Sequence, residues 1–152
     1  MKYERNASAE SQAFQKRVQT FLKRHSLMVV STVDKAGIPE SAVVKYFLGS
    51  DLQLYFGTPR DFRKFENITK AQDEVAVTIG FYEEQTLQYQ GQAKLLENEE
   101  VPDSIKTKIL SRARENASIE WDPSYAYFVI KPHWLKLTNV SLSPWEISTL
   151  DF

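Results

Sequence analysis

Between residues 27 and 56 the chain alternates short apolar runs with turn-forming words: LMVVSTV, DKAGIP, ESAVVKYFL, GSD and LQLYF. The apolar runs are rich in β-branched and aromatic residues and too short for ordinary helices, so they read as three strands, 27–33, 40–48 and 52–56. Leu52, Leu54 and Phe56 alternate in the third, the period of a half-buried strand. EVAVTIGFY (74–82) and TLQYQGQAKLL (86–96) follow, the latter with Gly91 inside it, a mark of a bulge or a close backbone approach. SYAYFVIKP and HWLKLTNVSL complete the set, separated at Pro132.

Helical periodicity occurs in three places. Residues 8–25 carry Phe14, Val18, Phe21 and Leu22 on one stripe, with Ser8 as N-cap and Lys23 and Arg24 at the C-terminal end. A short helix follows strand three, and residues 101–117 form a third with Ile105, Ile109 and Leu110 inward. Three helices are too few for repeated βαβ units. The order predicts a mainly β fold with peripheral helices, an antiparallel sheet closed into a small barrel. One domain over 1–152 is expected: a helix at 8–25, a barrel at 27–142 and a tail at 143–152.

Nineteen Lys and Arg against 20 Asp and Glu give a net charge of −1, which argues against a nucleic-acid surface. With no cysteine, disulfides, thiolate metal ligands and a cysteine nucleophile are excluded. The opening MKYERNASAESQAF has no apolar leader, and no stretch reaches the ~18 apolar residues of a membrane span. A cytoplasmic protein without membrane or nucleic-acid partners is the expectation. Gly-rich phosphate loops, GxSxG and HExxH are absent. His25 and His133 have no neighbouring ligand cluster, so no metal is expected; His25 reads as a dipole-stabilising or exposed helix end. Glu83, Glu84 and the ENEE of 97–100 read as solvated turn charges, and Trp121, Trp134 and Trp145 as packing or interface residues, with stacking on a planar ligand as the alternative.

One stretch stands apart. In YFGTPRDFRKFENI (55–68), Arg60, Arg63 and Lys64 gather just past Gly-Thr-Pro. Asp61 is placed to cap a helix whose Phe62, Phe65 and Ile68 make an inward stripe, leaving Arg63, Lys64 and Glu66 off it. Two readings stand side by side: a solvated basic face, or a phosphate clamp in which Arg63 supplies a planar fork and Lys64 a point charge.

The order of these words resembles the FMN-binding split-barrel family, which includes pyridoxamine 5′-phosphate oxidases and general-stress-protein flavoproteins. The resemblance runs over roughly 20–140, from LMVVSTV through FGTPRDFRKFENI to DEVAVTIGFY, GQAKLLE and YAYFVIKP. It implies that Arg63 and Lys64 bind the FMN phosphate and Thr58 the phosphate arm. Ser41, Ala42, Val43 and Val44 would line the isoalloxazine ring, and Thr86 or Gln88 would approach from a second subunit of a homodimer. Departures are Ala42 where the oxidases carry Arg, Phe62 where many members carry Ser, Thr138 where the oxidases carry an aromatic, and a C-terminus without their Arg-containing segment. The resemblance therefore implies a flavin-dependent oxidoreductase acting on a small molecule other than vitamin B6. The alternative is a non-catalytic module holding flavin, deazaflavin or haem.

Overall fold

The computed structural model describes residues 2–115 and 124–152, with side chains over 9–111 and 124–152; Trp121 and residues 116–117 lie outside them. Helix α1 (Lys2–Arg24) begins before the expected Ser8, which lies inside it. Its stripe is as read: Phe14, Val18, Phe21 and Leu22 are all buried. Such side chains contribute about 1.5–3 kcal/mol each on full burial.

Strands β1 (Leu27–Val33) and β2 (Pro39–Lys45) form the expected hairpin. The second strand ends earlier than the sequence suggests. Tyr46 turns inward, is buried and donates its hydroxyl proton to the Leu22 carbonyl at 2.6 Å, so Phe47–Leu48 form a separate β3. Leu52 also leaves the strand: Asp51 and Leu52 adopt φ of 53° and 59°, and β4 runs Leu54–Pro59. Helix α2 (Arg63–Glu66) continues as a π turn, Asn67–Ala71. Then come β5 (Glu74–Ile79), β6 (Gln85–Leu96) and α3 (Asp103–Glu115).

Pro132 does not separate two strands. β7 runs unbroken from Tyr125 to Asn139, because Gln90 pairs with Trp134 while Gly91 pairs with Pro132, leaving His133 as a bulge. A bulge is a place where a strand accepts proline, which has no N–H to give. Gly91 is required there, since a Cβ would collide with the Lys131 carbonyl oxygen. The expected tail holds a further strand, β8 (Glu146–Asp151), antiparallel to β7.

The sheet order is β2-β1-β5-β6-β7-β4-β3, with β8 beside β7, and every pairing is antiparallel. The sheet curls until β2 contacts β4 without pairing with it, which leaves the barrel split along that seam. Its interior holds Met28, Val30, Leu54, Phe56, Ile79, Leu87, Tyr89 and Phe128. The Tyr89 hydroxyl lies 3.0 Å from the Leu52 carbonyl and 2.9 Å from that of Ile130, tying the left-handed turn to β7. A smaller cluster, Tyr55, Leu96, Val101, Ile105 and Val129, seats α3 on the outside.

Candidate functional site

α2 follows β4 at the split, and its true inward stripe differs from the expected one. Phe62 is the N-cap, in extended conformation and 51% exposed, so it lies outside the helical repeat. Counted from the helix proper, Lys64, Asn67 and Ile68 stand at offsets 0, +3 and +4 and are all buried. Lys64, expected off the stripe, therefore points inward at 6% exposure. Phe65 is half-buried against the core, as expected. Asn67 donates from Nδ2 to the Thr32 hydroxyl of β1 at 3.0 Å, which fixes α2 to the sheet.

Five polar or charged side chains are buried among the described residues: His25, Thr32, Thr58, Lys64 and Asn67. Thr32, Lys64 and Asn67 belong to α2 and its anchor, and Thr58 stands on β4 five residues before Arg63. A barrel end without a polar task would be filled with apolar residues, because burying polar groups costs free energy. Burial pushes the Lys64 ammonium below its ordinary pKa, and the nearby Glu40 carboxylate opposes that shift. The ammonium also lies 4.7 Å from the Phe62 ring. Arg63 projects outward, its side chain 83% exposed, and its Nε is 3.1 Å from Glu40 Oε2. Arg60 stacks over Phe65 at 5.5 Å rather than joining that pair.

Glu40 carried no signal in the sequence. It stands across from Thr32 in the β1–β2 register, which brings it to the residue that anchors α2. Strand alternation also divides the 41–44 stretch. Ala42 and Val44 share Glu40's inward-leaning face, whereas Ser41 and Val43 lie on the exposed outer face. Thr58 is buried on the inner face of β4, its hydroxyl 3.3 Å from the Pro59 carbonyl. Gln88 pairs in register with Thr78 on β5 and Lys136 on β7, and Thr86 with Thr138. From β6 to β2 is three strand spacings, about 14 Å along the sheet. Gln88 is exposed and shares with Thr86 the outer face of β6.

A recess of about 670 Å³ lies at the other end of β2, lined by Lys23, His25, Lys45, Ser104, Lys108 and Ser111 among others, with no carboxylate in its described lining. His25 is buried rather than exposed; its Nδ1 donates to the Phe21 carbonyl at 2.8 Å. Its Nε2 lies 3.2 Å from Glu83 Oε2 without hydrogen-bond geometry. Trp145 is largely exposed, and Trp134 half-buried on the outer face beside Asp151. Among the described residues no group of three His, Asp or Glu could hold a metal ion, and no helix is long and apolar enough to cross a membrane.

An antiparallel sheet curled to an open seam, with a polar helix set at that seam, defines a split-barrel protein. The family model described as pyridoxamine 5′-phosphate oxidase matches residues 14–139, and the chain belongs to that family. No curated protein matches the sequence. Among solved structures, General Stress Protein 26 from Bacillus anthracis is 23% identical with a TM-score of 0.70, over 91% of this chain and 98% of that one. A pyridoxamine 5′-phosphate oxidase-related, FMN-binding protein from Nostoc punctiforme is 14% identical with a TM-score of 0.62, over 96% and 95%. PhzG from Burkholderia lata, solved with tetrahydrophenazine-1-carboxylic acid, is 13% identical with a TM-score of 0.62, over 95% and 92%. These likenesses establish the fold.

Proposed function

We propose that the protein binds FMN and serves as a flavin-dependent oxidoreductase for a small molecule other than vitamin B6. The observation that carries this reading is the concentration of buried polar groups at α2. A guanidinium, a desolvated ammonium and a threonine hydroxyl fall within the seven residues 58–64, a donor set suited in kind to a phosphate monoester. Arg63 and Lys64 would hold the phosphate and Thr58 the adjoining arm, with Ser41, Ala42, Val43 and Val44 along the ring. Bound flavin would supply the redox chemistry, while the chain orients it and sets its surroundings.

Two features support a homodimer with shared sites. Thr86 and Gln88 lie on the outer face of the sheet, where Gln88 is in register with Thr78, Val29 and Val43. The outer face beside β2 is uncharged and in register through Ser41, Val43, Val29, Ser31, Ala76 and Thr78, a surface suited to another subunit. The basic recess begins at Lys45, directly after the ring-lining stretch, and favours turnover of an anionic substrate over mere storage. Ala42 and Thr138 argue against vitamin B6 as that substrate, and the near-zero net charge against a nucleic acid.

Absorbance of the purified protein during FMN titration tests the reading. A flavin spectrum altered on binding, bleached by NADH or NADPH and restored in air, is the expected result. A protein that stays colourless and cannot be titrated refutes it.

A further inference from the structure

Glu40 is a carboxylate set against the cations proposed above to hold a phosphate. Three observations put it there. Its register partner is Thr32, Thr32 is hydrogen-bonded to Asn67 of the π turn, and Arg63 reaches back 3.1 Å to its carboxylate. The field of the same carboxylate is felt at Lys64, one residue on. Its side chain is 22% exposed, against 83% for Arg63, so the shielded partner of the pair is the acid.

The charges make the consequence plain. Arg63 and Lys64 bring +2 and Glu40 returns −1, leaving +1 to meet a phosphate monoester of about −1.5 to −2. Carboxylate and phosphate also compete for the same guanidinium donors, because both accept through paired oxygens.

We infer that Glu40 is an internal counter-ion of the clamp: it aligns Arg63 and Lys64, must give way to an incoming phosphate, and thereby sets how strongly the site prefers a phosphorylated flavin to an unphosphorylated one. This rests on the flavin reading above. The exchange makes and breaks no covalent bond. Its effect falls on the phosphate and not on the ring, since Glu40 faces α2 while the ring would lie farther along β2.

The test is fluorescence titration of wild-type protein and of Glu40→Gln with FMN and, separately, with riboflavin. Glu40→Gln keeps the side chain's size and removes its charge; Glu40→Ala is run beside it. FMN affinity should rise roughly tenfold in the variants while riboflavin affinity stays unchanged. Equal FMN affinity in wild type and variants, or weaker binding in the variants, overturns the counter-ion role and leaves the flavin reading standing. Failure of all three proteins to bind FMN overturns both. Thermal melting without flavin supplies a second readout: added inorganic phosphate should raise the melting temperature of Glu40→Gln more than that of wild type, and an equal rise counts against the inference.

Discussion

Replacing Lys64 with Met separates what the clamp does for folding from what it does for binding. Lys64 is buried, the residue only 6% exposed, so a Met of similar length fills most of the same space. What disappears is a positive charge whose pKa burial has depressed, against a smaller opposing pull from Glu40. Glu40 keeps Arg63 as its partner and is not stranded. Replacing buried ionic groups with apolar ones is often neutral or stabilising, and here the gain should be about 0–1 kcal/mol, or up to ~4 °C in melting temperature. The pH dependence follows from the sign of the shift. Between the lowered folded pKa and the ordinary lysine value of 10.5, the unfolded chain holds a proton that the folded chain has lost. Wild-type stability therefore rises with pH through that window and Lys64 adds no slope on either side of it, whereas Lys64→Met has no such slope at all. FMN affinity should drop at least tenfold in the same variant, since a charge-assisted contact is worth on the order of 1.5–3 kcal/mol. Denaturation of flavin-free protein across pH, with FMN titration alongside, reads both effects. A variant that is destabilised by about 2 kcal/mol and binds FMN as before would make Lys64 a structural residue and refute the reasoning.

Arg63→Ala should leave thermal stability within about 0.5 kcal/mol, because the Arg63 side of its ion pair is largely exposed, yet weaken FMN tenfold or more with little effect on riboflavin. Phe62→Ser should strengthen FMN binding several-fold and stabilise the flavin-free protein by about 1 kcal/mol, because it gives α2 the side-chain cap it lacks; titration and melting check the two parts separately. Gly91→Ala should cost roughly 2 kcal/mol or more in chemical denaturation, since the added methyl collides with the Lys131 backbone carbonyl in a paired strand.

Strand words of pronounced alternation were legible almost to their ends. β1 is where LMVVSTV stands, β6 opens one residue before TLQYQGQAKLL, and the α1 stripe is buried as its spacing requires. The Arg63–Lys64 pair and its place after β4 were equally plain. Local periodicity suffices for these, because the repeat of an element is written in consecutive residues. Where elements bend or meet, it fails. Pro132 read as a break because the bulge that tolerates it depends on Gly91 of another strand, and β8 went unseen because an edge strand is made by its partner. Lys64 was assigned to solvent because Phe62 was counted into a helix that starts one residue later.

The amino-acid sequence by itself determined that this chain is a mainly β protein with a pair of cations, Arg63 and Lys64, opening a short helix after a strand. Only the tertiary structure decided which way those cations face and what faces them. Glu40 comes to Arg63 through the register of the β1–β2 hairpin and the Asn67–Thr32 bond that holds α2 against it. Register and helix docking are fixed by the packing of the whole sheet, and a counter-ion positioned by them has no local signature in the chain.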